Sequence, residues 1–121
     1  MANVKIVHLR PEISTPIVAF ASAGAAAVAV ADGRGDAHIY FVTFDPGGFI
    51  GPHKAGFGQL FIPVLGSGWV AGEDGERCPV SAGQAGYISR GEVHSKGSQG
   101  GMTALMVQVH DLSVTGLVLD E

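Results

Sequence analysis

This chain is short of most features that would place it in a specialised class. It has one cysteine, Cys78, so no internal disulfide can staple the fold. Beside the Asp74-Gly75 turn signal that thiol reads as a small buried residue with no redox role. Basic residues number 7 against 11 acidic ones, for a net charge of −4 with the five histidines neutral. No basic stripe is present to neutralise phosphates, which argues against nucleic acid as a partner. Charged residues make up only 15% and apolar ones 46%, which excludes a disordered chain. No convincing helical period of ten residues occurs. What is abundant is glycine, 19 residues, which with 6 prolines divides the chain into short extended segments.

The 121 residues are expected to form a single domain, 1–121, with N-terminal strands over 1–36. One run, Ile17 to Ala31, is apolar, ends in small residues, and has Lys5 and Arg10 upstream, in the manner of a secretory leader. Pro11, Glu12 and Pro16 interrupt the approach, and fifteen residues are short for a membrane span, so a buried strand is the better account. A cytoplasmic protein with no membrane partner is expected.

Strand patterns fill most of the chain. Val4 to Leu9 is rich in β-branched residues, Ala25 to Val30 is a strand of small residues, and Asp32-Gly33 marks a turn. His38 to Phe44 alternates, placing His38, Tyr40 and Val42 on one face. Gln59 to Leu65 pairs with Gly68 to Ala71, Gly86 to Ser89 is short, and Thr103 to His110 closes the pattern. These segments predict an all-β barrel or sandwich.

Two glycine-framed segments carry the chemistry. One contains Gly47, His53, Gln59 and Gly66; the other contains Gly83, Gly91 and His94. Imidazoles entering from two separate strands can converge on one point inside a barrel, which is how such folds build a metal or catalytic site. Arranged this way, the chain resembles a small cupin, a jelly-roll barrel also described as a double-stranded β-helix, over about residues 37–112. The first cupin motif, G-x5-H-x-H-x3-E-x6-G, is met by Gly47, His53 and Gly66, within about 47–66. The second, G-x5-P-x-G-x2-H-x3-N, is met by Gly83, Gly91 and His94, within about 83–98. Four positions depart: Ala55 stands for the second histidine, Gln59 for the glutamate, Ser89 for the proline and Ser98 for the asparagine. Gln59, an apolar strand and Gly66-Ser67-Gly68-Trp69 make the outline similar to manganese-dependent hydroxynitrile lyases of this size.

That resemblance implies a metal held by His53, Gln59 and His94, with no donor at Ala55. A divalent ion such as manganese, iron, zinc or nickel prefers a closed donor set with an anionic member, and these three are neutral, so the cofactor is either such a metal or none. His110 is a candidate further ligand. Gln108 and His110 share the face of Met106, and polar residues on a barrel strand face solvent or the cavity. On the cavity reading Val42, Gln59, Met106, Gln108 and His110 line a small-molecule pocket. In a metal-free version His53 or His94 is the general base, and Tyr40 or Gln59 a hydrogen-bond donor. His38 is expected at the rim, Trp69 in packing, and Glu92 as a solvated carboxylate at a strand end.

Three functions fit this reading. The first is a small-molecule enzyme of lyase, isomerase or cyclase type that moves a proton near a carbonyl. The second is a non-catalytic binding or sensing domain without metal. The third and lowest is an oxygenase, which lacks its carboxylate ligand. Likeness to small cupins and the apolar excess imply a homodimer.

Overall fold

One long strand organises the molecule, because it belongs to two sheets at once. The computed structural model describes residues 4–119. Its strands are β1 (Lys5–His8), β2 (Thr15–Pro16), β3 (Ala26–Ala27), β4 (Ala31–Phe44), β5 (Phe49–Lys54), β6 (Gly58–Ala71), β7 (Arg77–Ser81), β8 (Gln84–Ile88), β9 (Val93–Gly97) and β10 (Met102–Val114). No α-helix occurs among the described residues, and every strand pairing is antiparallel. The first half of β6 pairs with β8 and β10, in the order β1-β8-β6-β10-β4. From Ser67 onward it pairs instead with β7 and β9, and β9 with β5. The change falls at Gly66, whose φ of +79° is open to glycine at little cost. The result is an all-β, barrel-like fold of antiparallel sheets.

Alternation along these strands decides what faces inward. Met102, Ala104 and Met106 of β10 lie opposite Phe44, Val42 and Tyr40 of β4, and Met106 lies opposite Phe61 of β6. Cross-strand partners share a face. Phe44, Phe61, Met102 and Ala104 join Val70, Val80 and Ile88 in the interior cluster, with Val42, Ile50 and Met106 packed against it. Phe44 and Phe61 meet edge to face at 5.9 Å. A second cluster on the outer face joins Leu60, Ile62 and Val107 to Val7, Val28, Val30 and Val118.

Several expectations need correction. Ile17 to Ala31 is not a buried strand: its strand residues are only the short, exposed Ala26–Ala27, paired with Thr15–Pro16, and the first residue of β4. A run made mostly of alanine and glycine buries little apolar area per residue, so little holds it against the core. Asp32-Gly33 is no turn, since β4 runs through it opposite Leu112 and Ser113. Gln59 to Leu65 and Gly68 to Ala71 are not a hairpin pair but one continuous strand. Asp74-Gly75 does form the turn between β6 and β7, with Gly75 at φ +77°. The strands that carry the two motif histidines, β5 and β9, have no clean alternation and went unmarked by pattern.

Candidate functional site

His53 and His94 are direct cross-strand partners in the β5–β9 ladder, so their rings must lie on one face. Their centroids are 4.5 Å apart. His53 is exposed, and its Nδ1 stands 2.8 Å from the Gly51 carbonyl oxygen. An Nδ1–H donating there leaves Nε2 as the lone-pair nitrogen. His94 is the inner member, 1% exposed.

The residue that sequence reasoning missed is Lys96. Two positions beyond His94 on the same strand, it shares that inward face, opposite Ile50 and Val70 of the apolar core. It is only 1% exposed. Its Nζ donates to Gln59 Oε1 and lies 3.0 Å from His94 Nε2, with the Met106 sulfur at 3.8 Å. The ring of Phe61 lies 5.5 Å from the same nitrogen. Gln59 is buried at 3% and enters from the opposite sheet, so the ammonium ties the two sheets together. Among the described residues no carboxylate pairs with Lys96.

Burial without a counter-ion shifts both bases. Burial lowers Lys96 from 10.5 to about 8. Burial, then the Lys96 ammonium, then His53 push His94 from 6.5 down to about 4. The Glu92 carbonyl opposes this only as a nearby dipole, since His94 Nδ1 has no hydrogen-bond partner of good geometry. His94 is therefore a neutral imidazole, accepting at Nε2 and protonated at Nδ1.

The other expected residues are placed as follows. Gln108 lies opposite Gln59 and His38 on the inward face, half-buried. Tyr40 is half-exposed, 6.4 Å from His38, and Phe57 stands edge-on to His38 at 5.3 Å. These rings mark the rim, as expected for His38. Val42 and Met106 line the interior. His110 is not brought to the histidine pair. The β10 register shifts between Val109 and Asp111, and its exposed ring bonds Arg90, with Asp111 Oδ2 3.3 Å away. The bulge breaks the alternation that would have turned it inward. Glu92 is also a correction: it is buried, and Oε1 accepts from the Ser89 amide at 2.6 Å, closing the turn into β9. Trp69 is half-buried and stacks under Arg77 at 4.0 Å.

The donor set does not fit a resident metal. The Gln59 oxygen and His94 Nε2, two of the three expected ligand atoms, are already used by the Lys96 amine. Ala55 is buried in the core and offers nothing. Among the described residues no three His, Cys, Asp or Glu side chains group to hold an ion. Two surface clefts lie elsewhere. One of about 290 Å³ is lined by Tyr87, Arg90, His110 and Asp111, and one of about 370 Å³ by Lys54, Glu73, Arg90 and Glu92. Neither is lined by His94 or Lys96.

Comparison with known proteins yields no matching family model and no matching curated protein. Among solved structures, the chain is similar to a conserved protein of unknown function from Streptococcus pyogenes, at 25% identity and a TM-score of 0.57. That match covers 63% of this chain and 66% of the other, just under two thirds of its length. A protein from Neisseria meningitidis matches at 18% identity and a TM-score of 0.54, over 65% of this chain and 80% of that one, and shows the fold alone. No helix among the described residues is long and apolar enough to cross a membrane.

Proposed function

We propose that this protein is a small cupin-type, double-stranded β-helix barrel that acts without metal on a small oxyanion or carbonyl compound, moving a proton next to the carbonyl. One observation carries this reading: a buried ammonium, Lys96, held between Gln59 and His94 with no carboxylate beside it. An uncompensated buried charge is costly, and an anionic ligand offsets it. Two of its three N–H groups are taken by Gln59 and His94. The third faces only the Met106 thioether, a weak acceptor that a ligand oxygen outcompetes. On this reading Lys96 binds the oxygen on which charge develops, as a preorganised donor. His53 Nε2 takes or returns the proton at the exposed side, and Tyr40 orients the ligand at the rim. His94, neutral, holds the ammonium in place rather than acting as base.

Proton exchange tests this. Pyruvate and acetoacetate incubated with the full chain in D2O should lose their α-proton NMR signals faster than in buffer. Lys96→Met and His53→Ala should each slow the exchange by on the order of 100-fold. Exchange no faster than in buffer, or unchanged in both variants, refutes the assignment. The second reading, a non-catalytic binding domain, is favoured by the near-complete burial of His94 and Lys96. Binding of these acids with no exchange would select it.

A homodimer belongs to the same proposal. Ile39 and Phe41 of β4 lie on the outer sheet face, 67% and 65% exposed, opposite Val107 and Leu105 of β10. An exposed apolar face of this kind suits a second copy of the same face.

A further inference from the structure

The position of the Lys96 amine has a meaning apart from turnover. Two imidazoles sharing one ion at about 2.1 Å per nitrogen hold their ring centres roughly 4.5–5.5 Å apart, nearest for a right-angled ligand pair. His53 and His94 stand 4.5 Å apart, with the Gln59 oxygen entering from the facing sheet. Three possible donors thus lie close together, and the Lys96 amine engages two of them, Gln59 and His94. Lys96 Nζ engages the same lone pairs, on Gln59 Oε1 and His94 Nε2, that a metal would need. An ammonium and a divalent ion cannot share those lone pairs, and their like charges repel in a dry interior. Much of the wall around the amine is apolar, from Phe61, Ile50 and Val70.

We propose that the Lys96 ammonium is a resident cation standing in place of a metal, so that the native chain excludes divalent first-row ions and loss of the amine opens a three-donor site of His53, Gln59 and His94. The inference uses the same cluster as the proton-transfer reading but does not depend on catalysis. It also assigns Ala55 and Lys96 as a complementary pair: where one metal donor is absent, a fixed cation takes up two of the other three, Gln59 and His94.

Calorimetric titration of Zn²⁺, Ni²⁺ and Mn²⁺ into metal-stripped full-length protein tests it. The native chain should take up no ion in a His94-dependent way. Lys96→Ala should bind one equivalent of at least one of these ions, on the order of 100-fold more tightly than the native chain. Adding His94→Ala to that variant should abolish the binding. Circular dichroism confirms that the variants fold, and Lys96→Ser replaces Lys96→Ala if the latter does not. Stoichiometric, His94-dependent binding by the native chain overturns the proposal, and so does a folded lysine variant that binds no better than native. Absence of proton exchange with these titrations as expected would sink the catalytic reading alone; the opposite pattern would sink only this one.

Discussion

At the scale of single residues, the site is governed by desolvation rather than by ion pairing. His94 is held near 4 against an ordinary 6.5, so the unfolded chain binds a proton in that window that the folded chain refuses. Stability due to this group is thus intact above about pH 6.5 and is lost as pH falls toward 4, with a slope of up to about 1.4 kcal/mol per pH unit. Urea midpoints measured at pH 7 and pH 4.5 should show a larger drop for the native chain than for His94→Gln. Equal drops would mean that His94 titrates normally. His53, Gln59 and His94 were legible in the sequence because glycine-framed spacing identifies them. Lys96 was not, because a charged residue in a short segment, Val-His-Ser-Lys-Gly, reads as solvated surface. Only its placement opposite Ile50 and Val70 turns it inward.

At the scale of elements, two features decide the geometry: the bend in β6 and the bulge in β10. Gly66 sits at φ +79°, and a Cβ there would lie 2.6 Å from the Gly101 carbonyl oxygen. Gly75 has a similar φ of +77° at a hairpin turn with open space around it. Gly75→Ala should therefore cost about 1–2 kcal/mol of backbone strain alone. Gly66→Ala should cost more, because the clash with fixed backbone adds to the same strain. Chemical denaturation of the two variants checks the order; equal losses would mean that the β6 bend is not rigid. The motif glycines Gly47, Gly83 and Gly91 also have positive φ, which is the physical content of their spacing. The β10 bulge at Val109/Asp111 had no such marker, so the pattern left His110 open between cavity and surface, and it is found with Arg90 and Asp111.

At the scale of the whole molecule, the apolar excess divides between an interior cluster, a covered outer cluster and uncovered side chains that include Ile39 and Phe41 of β4. Sedimentation equilibrium should give a dimer for the native chain and a monomer for Ile39→Lys/Phe41→Lys, with the strand signal in circular dichroism retained. A native monomer would refute the pairing of this face. Local patterns were enough for the all-β class and for the turn at Asp74-Gly75, because alternation and turn chemistry act between near neighbours. The meeting of His53 and His94 followed from the motif resemblance rather than from either segment alone. The tertiary structure alone decided that β6 serves both sheets, that a bulge turns His110 outward, and that a lysine amine lies between Gln59 and His94. Those three outcomes depend on contacts between residues far apart in the chain, such as the 37 positions from Gln59 to Lys96, which no local pattern encodes.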